Sequence, residues 1–227
     1  MREIVLDTET TGLDPRSGHR VVEIGCIELV NHVQTGHDFH TYLDPERDMP
    51  EAAFNVHGLS EEFLRGKPKF GDVVDDFLTF IGDAKLVIHN AEFDIKFLNA
   101  ELTAAGRPTI DMARAIDTLI IARQKFPGAQ ANLDALCRRF EIDLSARDKH
   151  GALLDSQLLA EVYLELIGGR EPGLELAGNK NKTVSLEVVR QERREPRRNI
   201  PGAAPSEEER AAHAAFLDQV KEPIWRR

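Results

Sequence analysis

An apolar run at residues 4–6 leads directly into two acidic side chains, Asp7 and Glu9. Apolar residues at consecutive positions predict a strand that is buried on both faces, in the middle of a sheet. Side chains at positions i and i+2 of a strand point the same way, so Asp7 and Glu9 should project together. Paired carboxylates suit Mg²⁺ or Mn²⁺, although an acidic turn after a strand agrees equally well with this segment alone.

The composition is that of a globular protein outside the membrane. Of the 227 residues, 41% are hydrophobic and 30% are charged, which is ordinary for such proteins. No apolar run has membrane-spanning length, and the N-terminal residues enter a strand without a signal peptide's basic and apolar regions. Cys26 and Cys137 have apolar neighbours, which predicts buried free thiols. We therefore expect a cytoplasmic protein with no membrane partner.

The net charge of −10 limits how the chain can bind nucleic acid. Most such affinity comes from Lys and Arg side chains that neutralise phosphates, so an acidic protein is a poor general binder. If nucleic acid is the substrate, metal ions or a partner protein must overcome the repulsion.

The order of predicted elements indicates an α/β fold, because strands come first and then alternate with helices. This pattern predicts a mixed β-sheet flanked by helices. The predicted strands are 2–7, 21–30, 39–43 and 85–88, and the main predicted helices are 70–81, 91–105, 117–125, 132–140 and 151–167.

The sequence predicts three regions: a domain at 1–168, a flexible linker at 169–205 and a helical tail at 206–227. Apolar periodicity fades in the linker, whose basic stretch could alternatively touch phosphates. Ser206 followed by three glutamates is a strong helix start. An isolated amphipathic helix must fold back or dock, and we expect it to dock on a partner.

Asp94 and Asp155 are predicted to lie on the apolar faces of their helices. Each has leucine neighbours at helical spacing, and a buried carboxylate is costly unless it is paired, hydrogen-bonded or metal-bound. The alternatives are a helix cap for Asp94 and a buried arginine partner for Asp155. His150, on the loop before Asp155, is either a surface residue or a neighbour of the acids.

Together, four acids and a histidine suit two-metal phosphodiester hydrolysis, with His150 taking the proton from the attacking water. The sequence also resembles the motifs of the DEDDh 3′→5′ exonucleases. The matching segments are Asp7-Thr8-Glu9-Thr10-Thr11-Gly12, Val56-His57-Gly58-Leu59, His89-Asn90-Ala91-Glu92-Phe93-Asp94, and His150 with Asp155.

This resemblance implies a ribonuclease H-like fold and two divalent ions, Mg²⁺ or Mn²⁺, in the active site. It implies that Asp7, Glu9 and Asp155 hold one metal and that Asp7 bridges to the second. Asp94 would complete the acidic cluster, and His150 would be the general base.

Within that superfamily the chain resembles the epsilon (proofreading) subunits of bacterial DNA polymerase III. The similar segments are Phe126-Pro127-Gly128, 133–137, 150–155, 207–213 and 224–226. The resemblance implies a single-stranded or frayed 3′ DNA end as substrate, a replicative polymerase as partner and, with it, a small accessory subunit. The implied nucleotide-pocket residues are Thr10, Leu13, His57 and Phe93, and the implied polymerase contacts are Phe216, Leu217 and Trp225.

One segment departs from that family. Its sliding-clamp motif begins with glutamine, whereas the corresponding stretch here begins with Glu171. Leu174 and Leu176 can still fill an apolar pocket, so we expect a weak clamp contact or a plain linker.

Two other functions stay open from the sequence. One is an RNA-trimming DEDDh exonuclease, although such an enzyme has no need of the linker and tail. The other is a non-catalytic scaffold that tethers a polymerase, which the intact set of acids and His150 disfavours.

Overall fold

The computed structural model describes residues 1–168, apart from 146 and 148, and residues 205–219. These two ranges belong to separate units of the chain. Residues 169–204 of the predicted linker and 220–227 of the predicted tail lie outside the described residues, and with them Leu174, Leu176 and Trp225.

The larger unit contains a five-stranded mixed sheet with the strand order β3-β2-β1-β4-β5. The central strand β1 pairs antiparallel with β2 and parallel with β4, which confirms the predicted buried central strand and the mixed sheet. The strands are β1 (Arg2–Thr10), β2 (Val21–Val30), β3 (Val33–Tyr42), β4 (Lys85–Ile88) and β5 (Ala115–Asp117).

Strand β1 is longer than predicted and contains both Asp7 and Glu9. The acidic-turn alternative is therefore wrong, because Glu9 still pairs in register with Glu23 on β2. The predicted third strand began six residues too late, since β3 starts at Val33 along an exposed edge whose polar residues gave no alternating signal.

The helices confirm most of the predicted spans, and α3 matches its prediction at both ends. Helix α1 and strand β5 were not predicted because both are short. The helices of the larger unit are α1 (Glu51–His57), α2 (Glu61–Leu64), α3 (Phe70–Ile81), α4 (Ala91–Ala104), α5 (Thr118–Lys125), α6 (Leu133–Arg139) and α7 (Ala152–Ile167).

The two faces of β1 pack against different helices. Ile4 and Leu6 belong to the core cluster formed with α3 and α4, whereas Val5 packs in the cluster that contains Leu159 and Tyr163 of α7. Since side chains alternate along a strand, Asp7 and Glu9 share the α7 face with Val5. Cys26 and Cys137 are buried free thiols, as predicted.

Helix α7 is attached to the sheet near both of its ends. At its start, a Cβ added to Gly25 would lie 2.3 Å from the backbone of Ala152, so only glycine permits this approach. The Ser156 hydroxyl donates to the Gly25 carbonyl over 2.9 Å. Farther along, the Tyr163 hydroxyl donates to the buried Glu3 carboxylate over 2.8 Å.

The smaller unit contains helix α8 (Glu207–Gln219). Ser206 and Glu209 form a reciprocal capping pair: the backbone NH of Ser206 donates to the Glu209 carboxylate, and the NH of Glu209 donates to the Ser206 hydroxyl. This confirms the predicted helix start. Phe216 is exposed and Leu217 is buried. No helix in the described part of the chain is both long and apolar enough to span a bilayer.

Candidate active site

Asp7 and Glu9 lie at the end of the central strand, on the face that packs against α7. Burial is the main cause that raises the pKa of Glu9 to about 8, and the charges of Asp155 and Glu23 add to it. Burial also raises the pKa of Asp7 well above its usual range, together with the charges of Asp94 and Glu9. The two side chains therefore lie in a strongly negative environment.

Asp94 reaches the same strand from the opposite face of the sheet. Its Oδ1 accepts hydrogen bonds from the Thr8 backbone NH over 3.1 Å and from the Thr8 hydroxyl over 2.7 Å. Burial raises the pKa of Asp94 to about 7, although the bonds from Thr8 oppose the rise. Asp94 thus joins α4 to β1. The helix-cap alternative does not account for these bonds from Thr8.

The start of α4 is fixed by a carboxylate from β5. Asp117 accepts hydrogen bonds from the backbone NH groups of Asn90 and Ala91, over 3.2 and 3.1 Å. Asn90 has a positive φ of 68°, a conformation that asparagine tolerates better than most residues. This turn directs the first helical residues, including Asp94, toward the end of β1.

Asp155 is paired with an arginine, as the less favoured interpretation of the sequence allowed. The Nε and Nη2 atoms of Arg147 each lie 2.6 Å from one carboxylate oxygen of Asp155. His150 Nδ1 lies 3.2 Å from Asp155 Oδ2. Burial alone would raise the pKa of Asp155, but the hydrogen bonds from His150 and Arg147 outweigh it and hold the pKa below its usual value.

His150 lies on the loop before α7, as predicted. Its side chain is 49% exposed, and its backbone NH donates to the Val56 carbonyl of α1 over 3.3 Å. The neighbouring Lys149 donates to the Asn55 carbonyl over 3.2 Å. The loop that carries the candidate base is therefore attached to α1.

The donor atoms fit a divalent metal. Glu9, His150 and Asp155 each offer one ligand atom, and these atoms lie within 4.8 Å of one another; no other group of three is found in the described ranges. The raised pKa values of Asp7, Glu9 and Asp94 indicate that Arg147 does not balance the negative charge of the cluster. A hard cation bound by carboxylate oxygens would supply that balance.

Sequence reasoning missed a fifth acid at this site. Glu23 is buried and lies directly opposite Glu9 on β2, and His40 Nε2 lies 2.7 Å from its carboxylate. A signal was present, since Glu23 interrupts the apolar start of β2. Arg147 gave no such signal, because it lies in a polar loop among other charged residues.

A cleft of about 620 Å³ opens beside Glu9 and contains all four predicted nucleotide-pocket residues. Leu13 is 82% exposed at its edge. His57 is buried, its Nδ1 accepts from the Leu59 backbone NH over 3.0 Å, and burial lowers its pKa. The cleft lining includes Thr10, Leu13, Ala53, Val56, His57 and Phe93.

Comparison with known proteins agrees with this site. Residues 4–163 match the family model described as Exonuclease (RNase_T). The chain is 52% identical to the DNA polymerase III subunit epsilon of Rickettsia conorii over 223 residues, covering 97% of this chain and 96% of the relative. It is 43% identical to the subunit of the same name from Escherichia coli K12 over 241 residues, covering 99% and 97%.

Solved structures agree on the fold. The nuclease domain of 3′hExo, described as a DEDDh family member bound to rAMP, superposes with a TM-score of 0.63. It is 20% identical in sequence, and the match covers 73% of this chain and 91% of that domain.

Proposed function

This chain belongs to the exonuclease family and, within it, to the DNA polymerase III epsilon subunits, and on that premise we propose how its residues carry out proofreading. Its activity is 3′→5′ exonucleolytic removal of nucleotides from DNA. The observation that supports the assignment of residues is the convergence of Asp7, Asp94, Asp155 and His150 around Glu9, which itself lines the cleft.

The metal ligands in this proposal are the carboxylates of Asp7, Glu9 and Asp155, with Asp94 completing the cluster. The chemistry that two bound Mg²⁺ or Mn²⁺ ions supply is a lowered pKa for the attacking water and stabilisation of the charge that develops on the phosphate. Without such a cation, the carboxylates repel a phosphodiester and hold part of their protons at neutral pH. The site therefore depends on a divalent ion.

His150 is the proposed general base. Its imidazole is half exposed at the mouth of the acidic cluster, where a water molecule can reach it. Arg147 Nη2 lies 2.8 Å from its Nδ1. The hydrogen bond from His150 to Asp155 places a ring proton on Nδ1, which leaves Nε2 as the nitrogen that takes the proton from the attacking water.

The terminal nucleotide is proposed to enter the cleft beside Glu9. Phe93 and Leu13 offer apolar surface against a base, whereas Thr10 and His57 offer polar atoms. We expect few contacts to base edges, so selection rests on which 3′ ends fray. A mismatched end costs less to unpair.

The test of substrate is digestion of matched 5′-labelled single strands of DNA and RNA by the full chain with Mg²⁺ or Mn²⁺. We expect stepwise shortening of the DNA from its 3′ end, slower shortening of the RNA and no reaction with chelator. Faster degradation of RNA would favour the RNA-trimming alternative. Polymerase binding without cleavage of either strand would favour the scaffold.

Polymerase binding is proposed to use residues 206–227, including Phe216, Leu217 and Trp225. Phe216 supports this proposal because it is 59% exposed on a capped helix. Removing 206–227 should abolish co-purification with the polymerase catalytic subunit and leave digestion of free strands intact. Phe216→Ala should weaken the complex, whereas Glu208→Gln on the same helix is the matched control. Equal binding by both variants would contradict this contact.

The remaining partners rest on the family resemblance. They are a small accessory subunit and a weak sliding-clamp contact through Leu174 and Leu176. Binding of the clamp by the full chain, lost in a variant with both leucines changed to alanine, tests the second. Such a role belongs in the bacterial cytoplasm, at the nucleoid through the replication complex.

A further inference from the structure

Arg147 is a cation at the Asp155 side of the acidic cluster. Its side chain is 7% exposed, although it belongs to a polar loop. All three of its nitrogens have partners: Nε and Nη2 bind the two oxygens of Asp155, and Nη1 binds Asp134 on α6. Nη2 also contacts His150 Nδ1.

These partners overlap with the candidate metal ligands. Glu9, His150 and Asp155 are the residues whose donor atoms lie close enough to share an ion, and Arg147 engages two of the three. A guanidinium stays charged in proteins. A divalent cation on Asp155 would therefore lie beside a buried positive charge, and the two cations would compete for the same carboxylate.

Asp134 offers Arg147 a second anion. Its side chain is 39% exposed, whereas the Asp155 side chain is 4% exposed. Asp134 therefore lies nearer to solvent, on a different helix, and already holds one nitrogen of the guanidinium. Arg147 can release Asp155 and keep an ionic partner.

Building on the proposed metal site, we propose that Arg147 is a displaceable counter-cation. It neutralises Asp155 and holds His150 before the metal binds, and it transfers to Asp134 when the metal takes Asp155. The loop that carries Arg147 thereby keeps the metal-free site assembled at the cost of metal affinity.

The first test is calorimetric titration of Mn²⁺ into the full chain and into Arg147→Met. Removing the competitor should tighten Mn²⁺ binding by about tenfold, a typical coupling between competing ligands. The same variant should melt at a lower temperature without metal, because Asp155 loses its partner, and should gain more from added Mn²⁺ than the wild type. Arg65→Met removes an exposed arginine that pairs with Glu61 rather than with Asp134 or Asp155, and this variant should behave like the wild type.

The second test should change the Mn²⁺ affinity in the opposite direction. Asp134→Asn removes the anion that receives the displaced guanidinium, so Mn²⁺ binding should weaken severalfold. Asp143→Asn, an exposed acid that is bonded to Ser145, is the matched control for loss of a nearby negative charge. Equal weakening by both substitutions would overturn the transfer to Asp134.

The third test follows the Arg147 side chain in the wild-type protein. In ¹⁵N-labelled wild-type protein, the Arg147 Nε–H signal, assigned by its loss in Arg147→Lys, should shift as diamagnetic Mg²⁺ is added. An unchanged signal at saturating Mg²⁺, or unchanged Mn²⁺ affinity in Arg147→Met, would overturn displacement while leaving the metal site in place. No binding of Mn²⁺ by any variant or the wild type would overturn the metal site and this inference with it.

Discussion

Asp94 and Asp155 are both buried acids on helices, yet the protein satisfies them in different ways. Asp94 is held by the backbone NH and hydroxyl of Thr8, which are neutral groups on the central strand. Asp155 is held by the charged end of a long side chain, Arg147, from a loop. The pKa of Asp94 is accordingly raised by burial, whereas that of Asp155 is lowered.

The difference indicates which side of the site can rearrange. One of the bonds to Asp94 comes from the main chain of β1, so that side is set when the sheet forms. The bonds to Asp155 depend on rotations of one arginine side chain. One half of the cluster is therefore fixed by the main chain, and the other half can exchange partners.

The largest effect is expected at Asp7, which the charges of both halves influence. Asp7→Asn should lower the rate of DNA digestion on the order of 10³-fold, as loss of a central electrostatic group does. Without metal, the variant should melt at a higher temperature than the wild type, because repulsion with Asp94 and Glu9 is relieved. Digestion assays measure the rate, and thermal melts in chelator measure the melting temperature. A wild-type rate in Asp7→Asn would contradict the mechanism.

On the exchangeable side, His150→Ala should lower the rate on the order of 10²-fold, the usual contribution of a general base. The half-exposed side chain contributes little to packing, so the melting temperature should change little. His37→Ala, an exposed histidine on β3, is the control. A rate equal to that of the control would remove His150 from the mechanism.

On the fixed side, Thr8→Val keeps the shape of the side chain and removes one hydrogen bond to Asp94. Loss of a buried partner should destabilise the protein by about 1–3 kcal/mol in chemical denaturation. Thr103→Val, on the exposed surface of α4, should cost much less. If the two variants are equally stable, Asp94 is not fixed by the strand in the way described.

The last prediction is a pH dependence of stability. The pKa of Glu9 is about 8 in the folded protein, above the value of about 4.3 for an unfolded chain. Between these values the folded state binds more protons, so the free energy of unfolding should fall as pH rises. Denaturation in chelator from pH 5 to 8.5 should show this fall, and Glu9→Gln should reduce it. Glu62→Gln, an exposed change, should leave the slope unchanged, and an identical slope in Glu9→Gln would contradict the prediction.

Most of the fold was predictable because its signals are local. The apolar run at residues 4–6 placed the central strand, and the spacing of Phe70, Val74 and Phe77 placed α3. The inward positions of Asp94 and Asp155 followed from the same periodicity. All four nucleotide-pocket residues implied by the resemblance lie along one cleft, although their roles stay predictions.

What could not be predicted depends on contacts across the sheet. Helical spacing shows that Asp94 and Asp155 face inward, but it does not show that they approach β1 from opposite faces. Arg147 is buried only because α6 and α7 place acids around it, so its own neighbours in sequence carry no sign of that. Glu23 was detectable in principle, yet its link to Glu9 depends on the pairing register of β1 and β2.

The contact at Gly25 sets a dimension of the site. Gly25 pairs in register with Asp7, and the backbone of α7 rests directly on it with no side chain between them. The separation between the acids of β1 and Asp155 is therefore a backbone-to-backbone distance, which repacking of the core cannot adjust. A methyl group at Gly25 would act as a spacer that moves the start of α7, and Asp155 with it, away from the acids of β1.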